Sequence, residues 1–244
     1  MDMISALYGK TPVIRTRGTV GTTQLNLNSL IQPVTSIVSA VWDAAYALDV
    51  SSSSAADVTT GAKTIEVYGL DKDWNPISEV ITLNGQTKVT GAVLFRRVFA
   101  AIVQAAGTGR LNAGDIYIGK TGTGGVITAG VPTTLTSYTL KMLVGNNFAT
   151  NGLFTAPAGS IYTVTNIIPT ARAAGTIVLI HGKSNNCPAE MLKIEVGAGG
   201  IGAVPIIGPI LTLNPKEDLY FQAVGAAAGA IINVTMQLSK ISPA

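Results

Sequence analysis

Polar and apolar residues alternate along much of the chain from residue 63 onward, which is the period of a strand with one buried face. Lys63–Leu70 (KTIEVYGL) sets Ile65 and Val67 on one face, Asp71–Pro76 (DKDWNP) supplies turn residues, and Ile77–Leu83 (ISEVITL) alternates again. Asn84-Gly85 follows, and Asn-Gly between alternating runs predicts a hairpin, because both central turn residues must tolerate φ > 0. Its second arm begins at Lys88–Thr90. Val93–Ala105 reads as a strand with a bulge, in which Phe95, Arg97 and Phe99 share a face; a helix is the alternative. Asn112–Ile118 is a further strand, and Gly119–Pro132 a Gly/Thr-rich loop with one short strand.

The second half repeats the style. Ser137–Val144, Gly152–Thr155, Ile161–Ile168, Gly175–His181, Leu192–Val196, Ile210–Leu213, Asp218–Ala223 and Ala230–Leu238 read as strands. Pro157-Ala158-Gly159, Asn185-Asn186 and Asn214-Pro215 mark turns between them. Earlier in the chain, residues 1–30 carry few periodic signals and look like an arm or a first strand that needs a partner to order it. Residues 34–50 are open between helix and strand, and Ser51–Ala62 is a polar loop. Many short strands with few 3.6-residue periods predict an all-β chain: two consecutive β-sandwich or jelly-roll-like domains. The expected division is an N-terminal arm with first strands over 1–50, a first sandwich over 51–135 completed by part of 1–50, and a second over 136–244.

Composition narrows the function classes. Of 244 residues, 47% are hydrophobic and only 12% charged, against about 25% charged in an ordinary soluble domain. So few charges suit a surface partly covered by other chains. The net charge of +3 is too mild for a nucleic-acid binder, and the densest basic spots, Arg15/Arg17 and Arg96/Arg97, lack interleaved aromatics in the sequence. A single cysteine, Cys187, excludes an intrachain disulfide and suits a reducing compartment. No signal peptide is visible in MDMISALYGK, and the longest apolar stretches are interrupted before they reach bilayer length.

Several motifs tempt and fail on context. Gly114–Thr121 (GDIYIGKT) matches a phosphate-binding loop, but its interior residues are strand formers and Gly122 to Pro132 cannot readily form the required helix. Gly197–Gly202 (GAGGIG) matches a dinucleotide fingerprint, yet Pro205 and Pro209 fall in the first turns of the helix it needs. Asp71, Asp73 and Asn75 begin like a calcium loop, but Pro76 stands where glycine is required and Thr82 where a bidentate glutamate is required. His181, the only histidine, reads as a strand-end residue, and Asn233-Val234-Thr235 is a glycosylation sequon without a secretory signal. No catalytic, cofactor-binding or metal-binding residue is assigned.

Val67–Gly85 (VYGLDKDWNPISEVITLNG), Thr87–Gly91 (TKVTG), Phe95–Val98 (FRRV) and Ala106–Gly119 (AGTGRLNAGDIYIG) resemble segments of virion structural proteins of tailed bacteriophages. Phe154–Ile167 (FTAPAGSIYTVTNI) and Leu213–Ala223 (LNPKEDLYFQA) resemble a widespread phage sandwich domain. The likeness spans roughly residues 50–240, with soft edges because element boundaries read from sequence are loose. The resemblance implies a non-enzymatic part of a phage particle, located in the virion after synthesis in the host cytoplasm. The first expectation is a head decoration or cement protein that stabilises the capsid, with a tail, connector or fibre-base protein as the alternative. Its implied partners are further copies of itself, as a trimer, and the major capsid protein or other virion proteins, with no nucleic acid and no membrane.

Two other function classes stay in view. Trp42, Trp74, Tyr68 and Tyr138 could stack on sugars in a carbohydrate-binding sandwich. Glu66 and Glu79 lie on adjacent predicted strands and could face each other as the paired carboxylates of a hydrolase.

Overall fold

The structure is a computed structural model that describes residues 13–19, 24–26, 42–134, 138–150, 153–171, 176–184, 187–196, 206–224 and 231–241. No helix occurs among the described residues, and every strand pairing is antiparallel. The all-β expectation holds. The first two strands, β1 (Val13–Thr19) and β2 (Gln24–Asn26), are separated from the next by residues 27–47.

The unit that contains Ile37–Asn151 is a two-sheet sandwich. One sheet holds β3 (Leu48–Ser52), β6 (Val89–Thr90), β8 (Ile116–Lys120) and β11 (Tyr138–Met142), in the order β11-β8-β3-β6. The other holds β4 (Ala62–Leu70), β5 (Pro76–Thr82), β7 (Arg97–Ala106) and β12 (Phe148–Thr150), in the order β12-β7-β4-β5. Alternate residues of both sheets meet in one core: Leu48, Val50, Ile116, Ile118, Leu140 and Met142 from the first, and Ile65, Val67, Ile81, Val98, Ala101 and Ala149 from the second. Burying a side chain of Val, Leu, Ile or Met size fully stabilises by roughly 1.5–3 kcal/mol. The expected bulge falls at Phe99, where Tyr68 pairs Ala100 but Gly69 pairs Val98. The extra residue changes the facing of the segment. Phe95, Val98 and Ala101 reach the core, and Phe95 does not share a face with Phe99 by simple alternation.

The outer face of the first sheet is also covered. β9 (Ile127–Thr128) and β10 (Val131–Pro132) form a small ladder, and the segment around it lies on Tyr117 and Tyr138 through Val131. Ser51 Oγ donates to the Gly130 carbonyl at 2.9 Å. Gly130 has φ of 78°, and a Cβ there would stand 1.7 Å from the Ser52 carbonyl oxygen, so only glycine fits this close approach.

Asn84-Gly85 does form a turn: Thr87 N–H donates to the Asn84 carbonyl at 3.0 Å and Gly85 has φ of 55°. It is not the hairpin expected. β5 before it pairs with β4, whereas β6 after it pairs with β3 in the other sheet. The turn therefore carries the chain from one sheet to the other. Hydrogen bonds from Gly85 N–H to the Asp57 carbonyl and from Ser52 N–H to the Gly85 carbonyl hold it there. The true hairpin of this region is β4–β5, closed by Asp71–Asn75.

The other unit comprises Gly152–Ala244 with the N-terminal residues. Its strands are β13 (Leu153–Thr155), β14 (Ile161–Ala171), β15 (Thr176–Ser184), β16 (Cys187–Val196), β17 (Ile206–Leu213), β18 (Asp218–Val224) and β19 (Ile231–Ile241). They form the sheets β1-β19-β14-β17 and β13-β18-β15-β16, with β2 also on β18. Phe154 and Tyr162 are buried and meet edge to face at 5.1 Å between centroids. Thr155 Oγ1 donates to the buried Asp218 carboxylate at 2.5 Å.

Two boundaries differ from the sequence reading. The division falls between Asn151 and Gly152 rather than near residue 135, because β11 hydrogen-bonds to β8 and β12 to β7. The N-terminal arm also goes elsewhere. β1 and β2 join the C-terminal unit, and among the described residues of 1–50 it is the segment 42–50, including the start of β3, that serves the first sandwich.

Candidate interaction surface

Four loops meet at one end of the first sandwich: 53–61, 84–87, 107–115 and 143–147. A buried carboxylate ties three strands' ends together there. Asp57 accepts from Ser52 Oγ at 2.5 Å, Ala62 N–H at 2.8 Å, Ala113 N–H at 2.7 Å and Gly114 N–H at 2.9 Å. A second tie joins Asn112 and Asn147 reciprocally. Asn112 N–H donates to Asn147 Oδ1 at 2.9 Å, and Asn147 N–H donates to Asn112 Oδ1 at 3.0 Å. Asn112 Nδ2 also donates to the Gly114 and Leu143 carbonyls, and Asn147 Nδ2 to the Arg110 carbonyl. Asp115 adds an ion pair with Lys141 at 2.7 Å and accepts from Val144 N–H.

Backbone geometry at this end is specialised. Arg110 and Asn147 sit in the left-handed region, with φ of 59° and 55°. Such a conformation costs a non-glycine residue about 1–2 kcal/mol, less for asparagine. Gly107 packs so close to the 59–60 backbone that a Cβ would lie 2.0 Å from the Thr59 carbonyl oxygen. On this fixed frame three apolar side chains face outward: Val58 at 40% exposure, Leu111 at 48% and Val144 at 59%. Apolar residues on firmly bonded loops offer a preformed contact, since little ordering entropy remains to be lost on docking.

The opposite end is cationic and aromatic. The Arg96 and Arg97 guanidiniums lie 4.6 and 4.9 Å from the Trp74 ring centre, and Lys120 Nζ lies 3.4 Å from that of Tyr46. The sequence reading missed this interleaving because Trp74 is remote from both arginines in the chain. Arg97 is buried and donates to the Trp42 and Arg96 carbonyls, so part of this charge is engaged within the fold.

The carbohydrate reading loses most of its platform. Trp42, Tyr68 and Tyr138 are all buried, and Trp74 is the half-buried member, under arginines. Burial pushes the Tyr138 hydroxyl up to about 12, with the nearby Asp49 charge adding to the rise. Asp49 itself is buried and accepts from Thr121 Oγ1 and Gly122 N–H. Burial alone would raise its carboxyl, but hydrogen bonds from Thr90, Lys88, Thr121 and Gly122 outweigh that and hold it below the ordinary value.

The carboxylate pair is not assembled. β4 and β5 are adjacent, but Glu66 pairs Val80 and Glu79 pairs Val67. Opposed residues share a face, and Val67 is core while Val80 is exposed. Glu66 and Glu79 therefore point to opposite sides of one sheet. Glu79 accepts from Ala92 N–H at 2.6 Å.

The remaining motifs read as structure. Asp71 Oδ1 accepts from Asp73 N–H and Asn75 N–H, which turns it onto its own loop, and Asp73 pairs with Lys72. In Gly114–Thr121, β8 occupies Ile116–Lys120, a turn follows it, and Thr121 Oγ1 donates to Asp49. His181 lies within β15 opposite Glu190 and Tyr220, Cys187 opens β16 opposite Ser184, and Asn233 lies within β19. Arg15 and Arg17 lie in β1, opposite Thr235 and Asn233. The Gly197–Gly202 motif lies outside the described residues, as does Asn185-Asn186. No cluster of three or more His, Cys, Asp or Glu suited to a metal occurs among the described residues, and no helix there is long and apolar enough to cross a membrane.

Neither a protein-family model nor a curated protein sequence matches the chain. Solved structures with some likeness include T=1 particles derived from infectious bursal virus, at 10% identity and TM-score 0.18, covering 100% of this chain and 76% of that one. Two others are infectious bursal disease virus strains. The Gt strain stands at 10% identity and TM-score 0.13, covering 96% of this chain and 82% of that one. The Gx strain stands at 14% identity and TM-score 0.15, covering 94% and 75%. At these TM-scores the likenesses bear no weight for fold or function.

Proposed function

We propose that this chain is a non-enzymatic structural component of a bacteriophage particle, and that it acts as a head decoration or cement protein through contacts among its own copies and with the major capsid protein. The observation that carries the reading is the loop end of the first sandwich, where Val58, Leu111 and Val144 are exposed on loops held by Asp57 and the Asn112–Asn147 pair. The charge content of 12% supports it, since a thinly charged surface is suited to being covered. The resemblance of Thr64–Ile118 and of the second half to phage virion proteins supplies the particle. A passive role follows physically, because apolar contact at about 25 cal/mol per Å² stabilises an assembly without any chemical step.

The test has two parts. The purified chain is expected to be a trimer by light scattering, and Leu111→Asp or Val144→Asp is expected to lower its mass or its binding to heads without changing its unfolding transition. Gold-labelled antibody on particles of the encoding phage is expected to mark heads; labelling of tails would transfer the reading to the tail, connector or fibre-base class. A chain that stays monomeric and marks no part of a particle overturns both.

A further inference from the structure

The C-terminal sandwich is closed by strands from the far end of the chain. β1 pairs β19 over its full length, from Val13↔Gln237 to Thr19↔Ile231. β2 pairs the far part of β18, Gln24↔Val224 to Asn26↔Gln222, beyond the part that β13 takes. One short N-terminal segment thus covers a free edge on each of the two sheets of this unit. Uncovered edges are templates for pairing with another chain, and without this segment β19 and the far part of β18 would be such edges.

The tether of that segment is unusual. After β2 the chain runs through residues 27–47, builds the whole first sandwich, and only then returns at Gly152 to build the sheets that β1 and β2 complete. Pairing within one chain therefore joins strands about two hundred residues apart, with the whole folded first sandwich standing between them in the chain. Residues 42–47 are bound into the first sandwich, so the connection from β2 is residues 27–41, which at up to about 3.3–3.6 Å each cover at most on the order of 50 Å. The hydrogen bonds formed are identical whether the arm comes from the same chain or the next.

We propose that in the assembled protein β1 and β2 are exchanged, each arm closing the C-terminal sandwich of a neighbouring copy. The proposal rests on the reading of the chain as a particle component, because it needs copies at high local concentration. Exchange of an identical element between copies links subunits without demanding any new interface chemistry.

Cysteine pairs across the β1–β19 register test it in the full chain carrying Cys187→Ser. Thr16 pairs Val234 and Arg15 pairs Thr235, so one of these positions is hydrogen-bonded and the other not, and between them they cover both geometries. Chains carrying only Thr16→Cys or Arg15→Cys are co-expressed with chains carrying only the partner substitution, Val234→Cys or Thr235→Cys. Exchange predicts a disulfide-linked species of doubled mass on a non-reducing gel. It also predicts that the double-cysteine chain links into dimers or larger species. A double-cysteine chain that closes only on itself, with no product from the co-expressed single variants, overturns exchange. An oligomer by light scattering alongside that result would leave the particle reading standing, whereas a monomer would remove it as well. Absence of any crosslink at both register positions also overturns the proposal.

Discussion

Replacing Asp57 should loosen the loop end more than any surface change could. Its carboxylate is fully buried and accepts three backbone N–H groups and one hydroxyl, all within 2.9 Å. Asp57→Ala strands the buried Ala62 and Gly114 N–H groups, at about 1–3 kcal/mol each, and the part-buried Ala113 N–H, while the Ser52 hydroxyl can turn elsewhere. Allowing for partial hydration of the opened site, the expected loss is about 3–6 kcal/mol, near the top of the range for single substitutions. Asp57→Asn is the sharper probe. Its oxygen can keep Ala62 and Ala113, but its amide nitrogen then faces the Gly114 N–H, so about 1–3 kcal/mol should be lost. Both tryptophans, Trp42 and Trp74, lie in this unit, so intrinsic fluorescence in denaturant follows it without interference from the C-terminal sandwich. The Asp57→Ala midpoint should fall most, and its melting point by on the order of 20 °C. Hydrogen exchange should show the Ala113 and Gly114 amides losing protection first. If both variants moved the transition by less than about 1 kcal/mol, the idea that this carboxylate organises the end would be refuted.

Two pH effects follow from the same sandwich. The Asp49 carboxyl is held below its ordinary 3.8, so it favours folding above that value and loses this contribution as pH falls through its folded pKa. Acid unfolding followed by fluorescence should be steeper below about pH 4 than in Asp49→Asn, which should be less stable at neutral pH by about 1–3 kcal/mol. At the alkaline side Tyr138 and Tyr162 are pushed up to about 12 and Tyr117 is raised, each chiefly by burial. A raised phenol favours the fold below about pH 10 and withdraws that support as pH rises beyond it. Ultraviolet titration of the native chain should show these tyrosines ionising late, in one step with unfolding; smooth titration of every tyrosine near 10 would contradict their burial.

Much of the fold could be read from periodicity, and the failures share a cause. Strand-forming runs bounded by turn residues located β4, β5, β11, β13 and β18 to within about two residues, because that signal is local. Sheet membership is not local. Asn84-Gly85 carries the right turn chemistry, yet whether the next strand returns to β5 or crosses to β3 depends on bonds to Asp57 and Ser52, some thirty residues earlier. The Glu66–Glu79 idea failed on a register difference of one residue, which turns a side chain to the other face. The loop end escaped sequence reading because Asp57, Asn112 and Asn147 look like ordinary loop residues. Only Gly107 and the Asn-rich turns around 146–147 hinted at backbone needing special conformations there. The cationic cluster on Trp74 likewise required the β4–β5 turn and the start of β7 to be brought together.

The pairing of β1 and β2 with strands beyond residue 217 has a consequence in time as well as space. On a ribosome the arm emerges about two hundred residues before its partner strands. At roughly 5–20 residues per second it waits on the order of 10–40 seconds while the strand it joins in each of the two sheets is still unmade. During that interval the first sandwich can fold, before the strands that take the arm exist. Synthesis order thus leaves each nascent chain carrying two strands without partners through most of the making of this segment.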